Sequence, residues 1–317
     1  MKKVLITTRL LKSNEERISK LWDAKFNLNN EIYSEDKLIE LSKDCDGILS
    51  SIVDKIDEKI INKFSDRVKI ISNFAVGIGN IDIKAAKKRN IVVTNTPDVL
   101  TDATAEIAIL LILGASRRVV EGMRWVRNKN WKWSADFLIG KQLFGSKLGI
   151  LGMGRIGRAV AKRAKAFGME IHYHNRSRLN QDLEAGAIYH DNIQSLFSTS
   201  DILSINCPAT KETKKIINKK TLEFFSKEAI ITNSARGDMI DDDAMVDALK
   251  NKKIFALGLD VYNGEPDIHP GYLEHPNVFI LPHLGSATTK TRTDMADLAI
   301  SNIEEFFKSG KCINKVN

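Results

Sequence analysis

The chain has 317 residues, with 48 Lys plus Arg against 40 Asp plus Glu, a formal net charge of +8, and 43% hydrophobic residues. This is the balance of a folded globular protein, and 19 Gly with 6 Pro exclude collagen-like and low-complexity chains. The length exceeds what one compact core usually holds and predicts two domains.

At the amino terminus, Lys2 and Lys3 precede only three apolar residues before Thr7, Thr8 and Arg9. An export signal needs a longer apolar stretch, so residues 3–7 read as a first strand. Short apolar runs at 47–52, 69–74 and 91–95 read as further strands. Amphipathic stretches at 13–22, 36–43, 57–64 and 81–89 read as the helices between them. That alternation predicts a parallel α/β sheet. Residues 101–118 follow as a long apolar helix, capped by Thr101 or Asp102 and expected to be a buried connector between domains. Its apolar run, residues 107–113, is far short of the roughly 20 residues a membrane span needs.

Arg117, Arg118, Arg124, Arg127, Lys129 and Lys132 come next. With no basic tail or stacking motif they read as a solvated helix face, and no nucleic-acid partner is expected. A second α/β series has strands at 147–151, 170–174, 201–206, 229–233, 254–260 and 277–281, and residues 286–308 read as a last helix. Cys45, Cys207 and Cys312 lie far apart, which suits a reducing cytoplasm.

The most specific local motif is Gly152-Met153-Gly154-Arg155-Ile156-Gly157, set between an apolar strand and a helix. In that context the first Gly makes a tight turn, the second lets a pyrophosphate approach the backbone, and the third lets helix and strand pack closely. The helix start supplies amide donors. The next strand ends in Asn175-Arg176-Ser177-Arg178, where an NAD site places a carboxylate for the ribose 2′-hydroxyl. Arg pairs with phosphate by a planar fork, so the segment favours NADPH/NADP, with NADH/NAD as the alternative. His172 and His174 share one strand face, but no further ligands cluster nearby, so they read as structural and no metal is expected.

Three later segments follow predicted strands and carry reactive side chains: Asn233 to Asp238, Asp260 to Pro266, and Leu281 to Thr288. With residues 73–77, 80–82 and 93–106 and the glycine loop, these resemble the D-isomer-specific 2-hydroxyacid dehydrogenases, within them the glyoxylate/hydroxypyruvate reductase branch. The resemblance spans essentially the whole chain.

It implies two Rossmann-like or flavodoxin-like parallel-sheet domains with the active site in the cleft between them. Residues 1–98 plus 290–317 would form a discontinuous substrate domain, and residues 99–289 the dinucleotide-binding domain. The family's catalytic residues fall on Arg236, Glu265 and His283. Arg236 would clamp the substrate carboxylate and polarise its 2-oxo group. His283 would give a proton to the ketone oxygen as hydride reaches carbon 2. Glu265 would hold the other ring nitrogen. Val76 and Gly77 match backbone contacts to the substrate carboxylate. Thr101, the loop from Gly152 to Gly157, Asn175, Arg176, Ser177, Cys207, Pro208, Thr213, Ser234, Ala235, Asp260, His283 and Gly285 match the cofactor's surroundings.

The resemblance also implies a homodimer, with Trp131, Trp133 and Phe137 in the segment that can reach a partner's site; core packing is the alternative for them. The expected activity is NADPH-dependent reduction of glyoxylate or hydroxypyruvate. D-lactate, other 2-oxo acid and phosphoglycerate dehydrogenases share the site, and the chain's end soon after the last helix argues modestly against the last of these. Dinucleotide-sensing corepressors of the same fold are the non-enzymatic alternative.

Overall fold

The computed structural model describes all of residues 1–317. In chain order the first elements are β1 (Lys3–Ile6), α1 (Lys12–Leu21), β2 (Asp23–Phe26), α2 (Glu35–Ser42), β3 (Gly47–Ser51), α3 (Glu58–Lys63), β4 (Ile70–Phe74), α4 (Ile83–Lys88) and β5 (Val92–Thr94). Then come α5 (Thr101–Ser116), α6 (Val119–Arg127), β6 (Lys147–Leu151), α7 (Arg155–Ala166), β7 (Glu170–His174), α8 (Gln181–Glu184), β8 (Ile188–Tyr189), α9 (Ile193–Thr199) and β9 (Ile202–Ile205). The chain closes with α10 (Lys219–Leu222), β10 (Ile230–Asn233), α11 (Asp242–Lys250), β11 (Ala256–Leu259), α12 (Pro270–Glu274), β12 (Val278–Ile280) and α13 (Thr289–Ser309). It divides into two compact units, Met1–Leu100 with Ser286–Asn317, and Thr101–Gly285.

The first unit holds a five-stranded parallel sheet of order β2-β1-β3-β4-β5. Its central strands are apolar on both faces because helices cover both. Leu5, Ile48 and Ile71 are fully buried with Ile60 and Ile61 of α3. Ser34, Asp57 and Asp82 cap α2, α3 and α4 by accepting from the amides of Lys37, Ile60 and Ala85. Strand β2, Asp-Ala-Lys-Phe, is a four-residue edge strand with no fully buried residue, held by its pairing with β1. Helix α13 returns to this unit and packs on β4, where Ser72 Oγ donates to Ala299 O at 3.0 Å. It begins at Thr289 rather than 286 because the Thr288 hydroxyl accepts from Thr291 N at 3.1 Å and caps it.

The second unit holds a seven-stranded parallel sheet of order β12-β11-β10-β9-β6-β7-β8. Strand β6 lies centrally between β9 and β7, so the order reverses there and a crevice opens past the carboxyl ends of β6 and β9. Helix α5 lies wholly in this unit, packed on β10, β11 and α7. Arg163 of α7 holds Asp102 at 2.9 Å and Glu106 at 3.5 Å. The sheet of its own unit therefore accounts for α5's apolar character. No helix is long and apolar enough to cross a membrane.

Candidate active site

The glycine loop follows β6 at the switch in strand order. Gly152 has φ +93°, and a Cβ there would lie 2.5 Å from the Cys207 backbone, so no other residue fits the turn. Gly157 lies so close to the Gly152 carbonyl that α7 can press onto β6. Around Gly154 the situation is opposite: a Cβ would meet nothing within 4 Å. Gly154 is also the cap of α7. Open space at a helix start fits a dinucleotide pyrophosphate. Met153 is buried, Ile156 half-buried, and Arg155 exposed.

Asn175 Oδ1 accepts from Met153 N at 2.7 Å, so this residue braces the glycine loop from the end of β7. Arg176 and Ser177 are exposed beyond it. Arg178, read from sequence as a second phosphate-binding guanidinium, is already engaged. Its Nε and Nη2 donate to Glu184 at 2.7 and 3.1 Å, and it stacks over Tyr189. The Tyr173 hydroxyl donates to the same carboxylate at 2.6 Å, and these partners hold Glu184 below the usual carboxylate range. Both arginines are exposed, but only Arg178 is tied to a carboxylate by hydrogen bonds. His172 bridges His190 at 2.9 Å and Glu170 at 2.7 Å, while His174 meets the His190 carbonyl at 2.8 Å.

Arg236, Glu265 and His283 all belong to the second unit. Arg236 follows β10. Asn233 accepts from Ala235 N at 2.9 Å and donates to Arg236 O at 2.7 Å, which shapes the turn. Burial pushes the Arg236 guanidinium down from its ordinary value, while the charges of Glu265 and Asp238 oppose it. Asp238 Oδ1 is buried without a partner. A Cβ on Gly237 would sit 1.8 Å from the Tyr262 carbonyl carbon and 2.2 Å from Asn263 N. Only glycine allows the Arg236 turn to lie against the segment that carries Glu265.

Glu265 accepts from Tyr262 N at 2.9 Å through one oxygen and meets His283 Nδ1 at 2.7 Å through the other. Its pKa is lowered. Burial pushes it up, but the hydrogen bond and charge of His283, the Tyr262 amide and the Arg236 charge outweigh that. His283 has φ +55°, a left-handed backbone that costs a non-glycine residue roughly 1–2 kcal/mol. The next two amides hold it there: Leu284 N and Gly285 N donate to the two oxygens of buried Asp260 at 2.7 and 2.8 Å. Thr104 Oγ1 donates to Gly285 O at 3.1 Å. Burial raises the Asp260 pKa, against those amides and the His283 charge. With Nδ1 on Glu265, Nε2 is the ring nitrogen left for another partner.

Thr101 is the half-buried first residue of α5. Cys207 meets Met239 Sδ at 3.8 Å, and burial pushes its thiol up to about 11, so it stays protonated near neutral pH. Thr213 Oγ1 accepts from Thr210 N and donates to Pro208 O at 2.9 Å, which closes the loop after β9. Ser234 and Ala235 are half-buried. Trp131 and Trp133 are 71% and 80% exposed, which removes the core-packing alternative for them. Phe137 packs edge-on against Trp125, 5.1 Å between ring centres.

In the first unit, Val76 and Gly77 follow β4. Asn73 Nδ2 donates to Gly77 O at 2.9 Å and to Asn80 Oδ1 at 3.1 Å. Asn80 Nδ2 donates to Ser51 O and Asp54 O, both at 3.0 Å, and Asn95 Nδ2 donates to Val76 O at 2.8 Å. Asp54 accepts from the amide and hydroxyl of Ser51 and from the Thr7 hydroxyl. This bracing was invisible in sequence, where residues 73–77 and 80–82 marked a resemblance and Asp54 carried no signal.

Residues 109–285 match the family "D-isomer specific 2-hydroxyacid dehydrogenase, NAD binding domain". The chain is 39% identical over 309 residues to a glycerate dehydrogenase of Hyphomicrobium methylovorum, covering 96% of each. It is 39% identical to a glyoxylate reductase of Thermococcus litoralis, covering 99% of this chain and 96% of that one. The solved structure of an NADPH-dependent glyoxylate/hydroxypyruvate reductase from Sinorhizobium meliloti, with NADP and malonate, superposes with a TM-score of 0.89 at 32% identity. That match covers 99% of this chain and 96% of the other.

Proposed function

This chain belongs to the D-isomer-specific 2-hydroxyacid dehydrogenases, nicotinamide-dinucleotide enzymes, and we propose that it reduces glyoxylate or hydroxypyruvate with NADPH to the D-2-hydroxy acid. The observation that carries this reading is the His283–Glu265 pair, which leaves Nε2 free in the unit that holds the glycine loop. A reduced nicotinamide dinucleotide, its pyrophosphate held at that loop, would supply the hydride for carbon 2 of the 2-oxo acid. His283 Nε2 gives its proton to the carbonyl oxygen as charge builds there, and Glu265 steadies the imidazolium through Nδ1. Arg236 polarises the same carbonyl and pairs with the carboxylate. Val76 and Gly77 offer amides to that carboxylate. Reduction consumes one hydride and one proton, and oxidation runs the same steps backward with His283 as base.

Two features support NADPH over NADH. No carboxylate stands at the end of β7, and Arg176 is exposed there with no hydrogen bond inside the chain. The Sinorhizobium meliloti relative is NADPH-dependent. Exposed Val126, Trp131, Trp133 and Ile139 in the second unit support a homodimer, and three free cysteines suit the cytoplasm.

The test is oxidation of NADPH and NADH by purified protein with glyoxylate, hydroxypyruvate and pyruvate. The reading predicts turnover of the first two, faster with NADPH. Tight dinucleotide binding without oxidation in the presence of any 2-oxo acid would instead mark a sensor.

A further inference from the structure

Arg292 lies in the first turn of α13, in the first unit. Its Nε donates to Ser286 O at 3.3 Å, and its guanidinium stands over the Phe74 ring, 5.9 Å from the centroid. Both Nη groups, with four N–H donors between them, have no partner in the chain. The residue is half-buried, and burial pushes its pKa down, as it does for Arg236. Other half-buried arginines are differently placed: Arg89, Arg118 and Arg163 meet Asp66, Glu121 and Asp102 at 2.8, 2.7 and 2.9 Å. A guanidinium withdrawn from water costs free energy unless something accepts its hydrogen bonds. Phe74 compensates only in part, since its ring face leaves the N–H groups unsatisfied.

Phe74 also tells where this fork sits. It ends β4, and the chain runs from it through Ala75 into the Val76–Gly77 turn. That turn is braced by Asn73, Asn80 and Asn95. Arg292 therefore lies at the carboxyl end of the first sheet, beside the turn assigned above to the substrate carboxylate, where open α/β sheets bind ligands.

We infer that Arg292 is a specificity-determining residue whose free Nη groups hold a hydrogen-bond-accepting substituent on carbon 3 of the 2-oxo acid, such as the hydroxyl of hydroxypyruvate. This rests on the proposed function. Glyoxylate, with two carbons, has no carbon 3 and so no substituent there for Arg292, and the methyl group of pyruvate accepts no hydrogen bond. Hydroxypyruvate carries a hydroxyl oxygen on carbon 3 that can accept from a guanidinium.

The experiment compares kcat/KM for the three acids in the parent and in Arg292→Leu. The expected result is a fall of about tenfold to a hundredfold for hydroxypyruvate, with glyoxylate and pyruvate within about threefold of the parent. Thermal unfolding and NADPH affinity, measured on the same samples, should match the parent. Arg292→Lys keeps the charge but not the fork, so its hydroxypyruvate-to-glyoxylate ratio should fall between those of the parent and Arg292→Leu. It also carries the test if Arg292→Leu does not fold. Equal losses on all three acids, or an unchanged ratio in both variants, would overturn the inference while leaving the enzyme a 2-oxo acid reductase. A parent protein that reduces none of the acids would overturn the proposed function and this inference with it.

Discussion

His283 Nδ1 lies 2.7 Å from a carboxylate oxygen of Glu265, and the other oxygen of that carboxylate takes the Tyr262 amide. The carboxylate therefore fixes both the tilt of the ring and which nitrogen faces outward. Glu265→Gln keeps the shape and removes the charge, so kcat should fall about tenfold to a hundredfold with NADPH affinity unchanged. Linkage gives a second readout. The folded pKa of Glu265 is lowered, so its contribution to stability is present above the ordinary carboxylate value and is lost as pH falls through the lower folded one. The difference in unfolding midpoint between parent and variant should be present at pH 7 and shrink on acidification toward pH 3. A difference that grows on acidification would contradict the pairing.

Gly237 holds two catalytic segments together through an absent side chain. Since a Cβ would fall 1.8 Å from Tyr262 backbone, Gly237→Ala must push the Arg236 turn away from the Glu265 segment. A loss of about 2–4 kcal/mol in denaturant unfolding is expected, with activity falling more than a hundredfold. Parental stability would show that the segments separate at no cost.

Arg176 and Arg178 are two residues apart but stand in different surroundings. Arg178→Ala breaks a bidentate pair with Glu184 and should lower the melting temperature slightly, with the NADPH-to-NADH ratio unmoved. Arg176→Ala should weaken NADPH about tenfold or more and leave NADH nearly untouched. Isothermal titration of both variants with both dinucleotides checks this, and equal weakening of the two by Arg176→Ala would remove the phosphate assignment.

Cys207 has its thiol pushed by burial from 9.0 to about 11. A folded pKa above the unfolded one means that the stabilisation is complete below the unfolded value. It is lost as pH rises through the folded value. Between pH 9 and 11 the parent should lose stability faster than Cys207→Ala, by on the order of 1 kcal/mol per pH unit. Parallel slopes would place the thiol in contact with water.

Much of this fold was legible because parallel sheets buried on both faces leave apolar runs: β3, β6 and β7 lie within a residue of their expected bounds. Strands β2 and β8 were not, since these edge strands are only four and two residues long and bury no apolar run. Arg236, Glu265 and His283 could be picked out by motif. Asp260 was picked out as well, as part of the cofactor's surroundings, but its pinning of the two amides after His283 was not, because that role depends on a turn whose partners lie 24 and 25 residues along the chain. Arg178 shows the converse: its residue type suggested a ligand, and only the fold shows that Glu184 already occupies it.

The most direct test of the account is turnover and NADPH affinity of His283→Ala measured side by side. The His283–Glu265 geometry predicts that glyoxylate reduction drops by about two to four orders of magnitude while the NADPH dissociation constant changes less than about threefold. Turnover near the parental rate, or loss of NADPH binding in a folded variant, would contradict it.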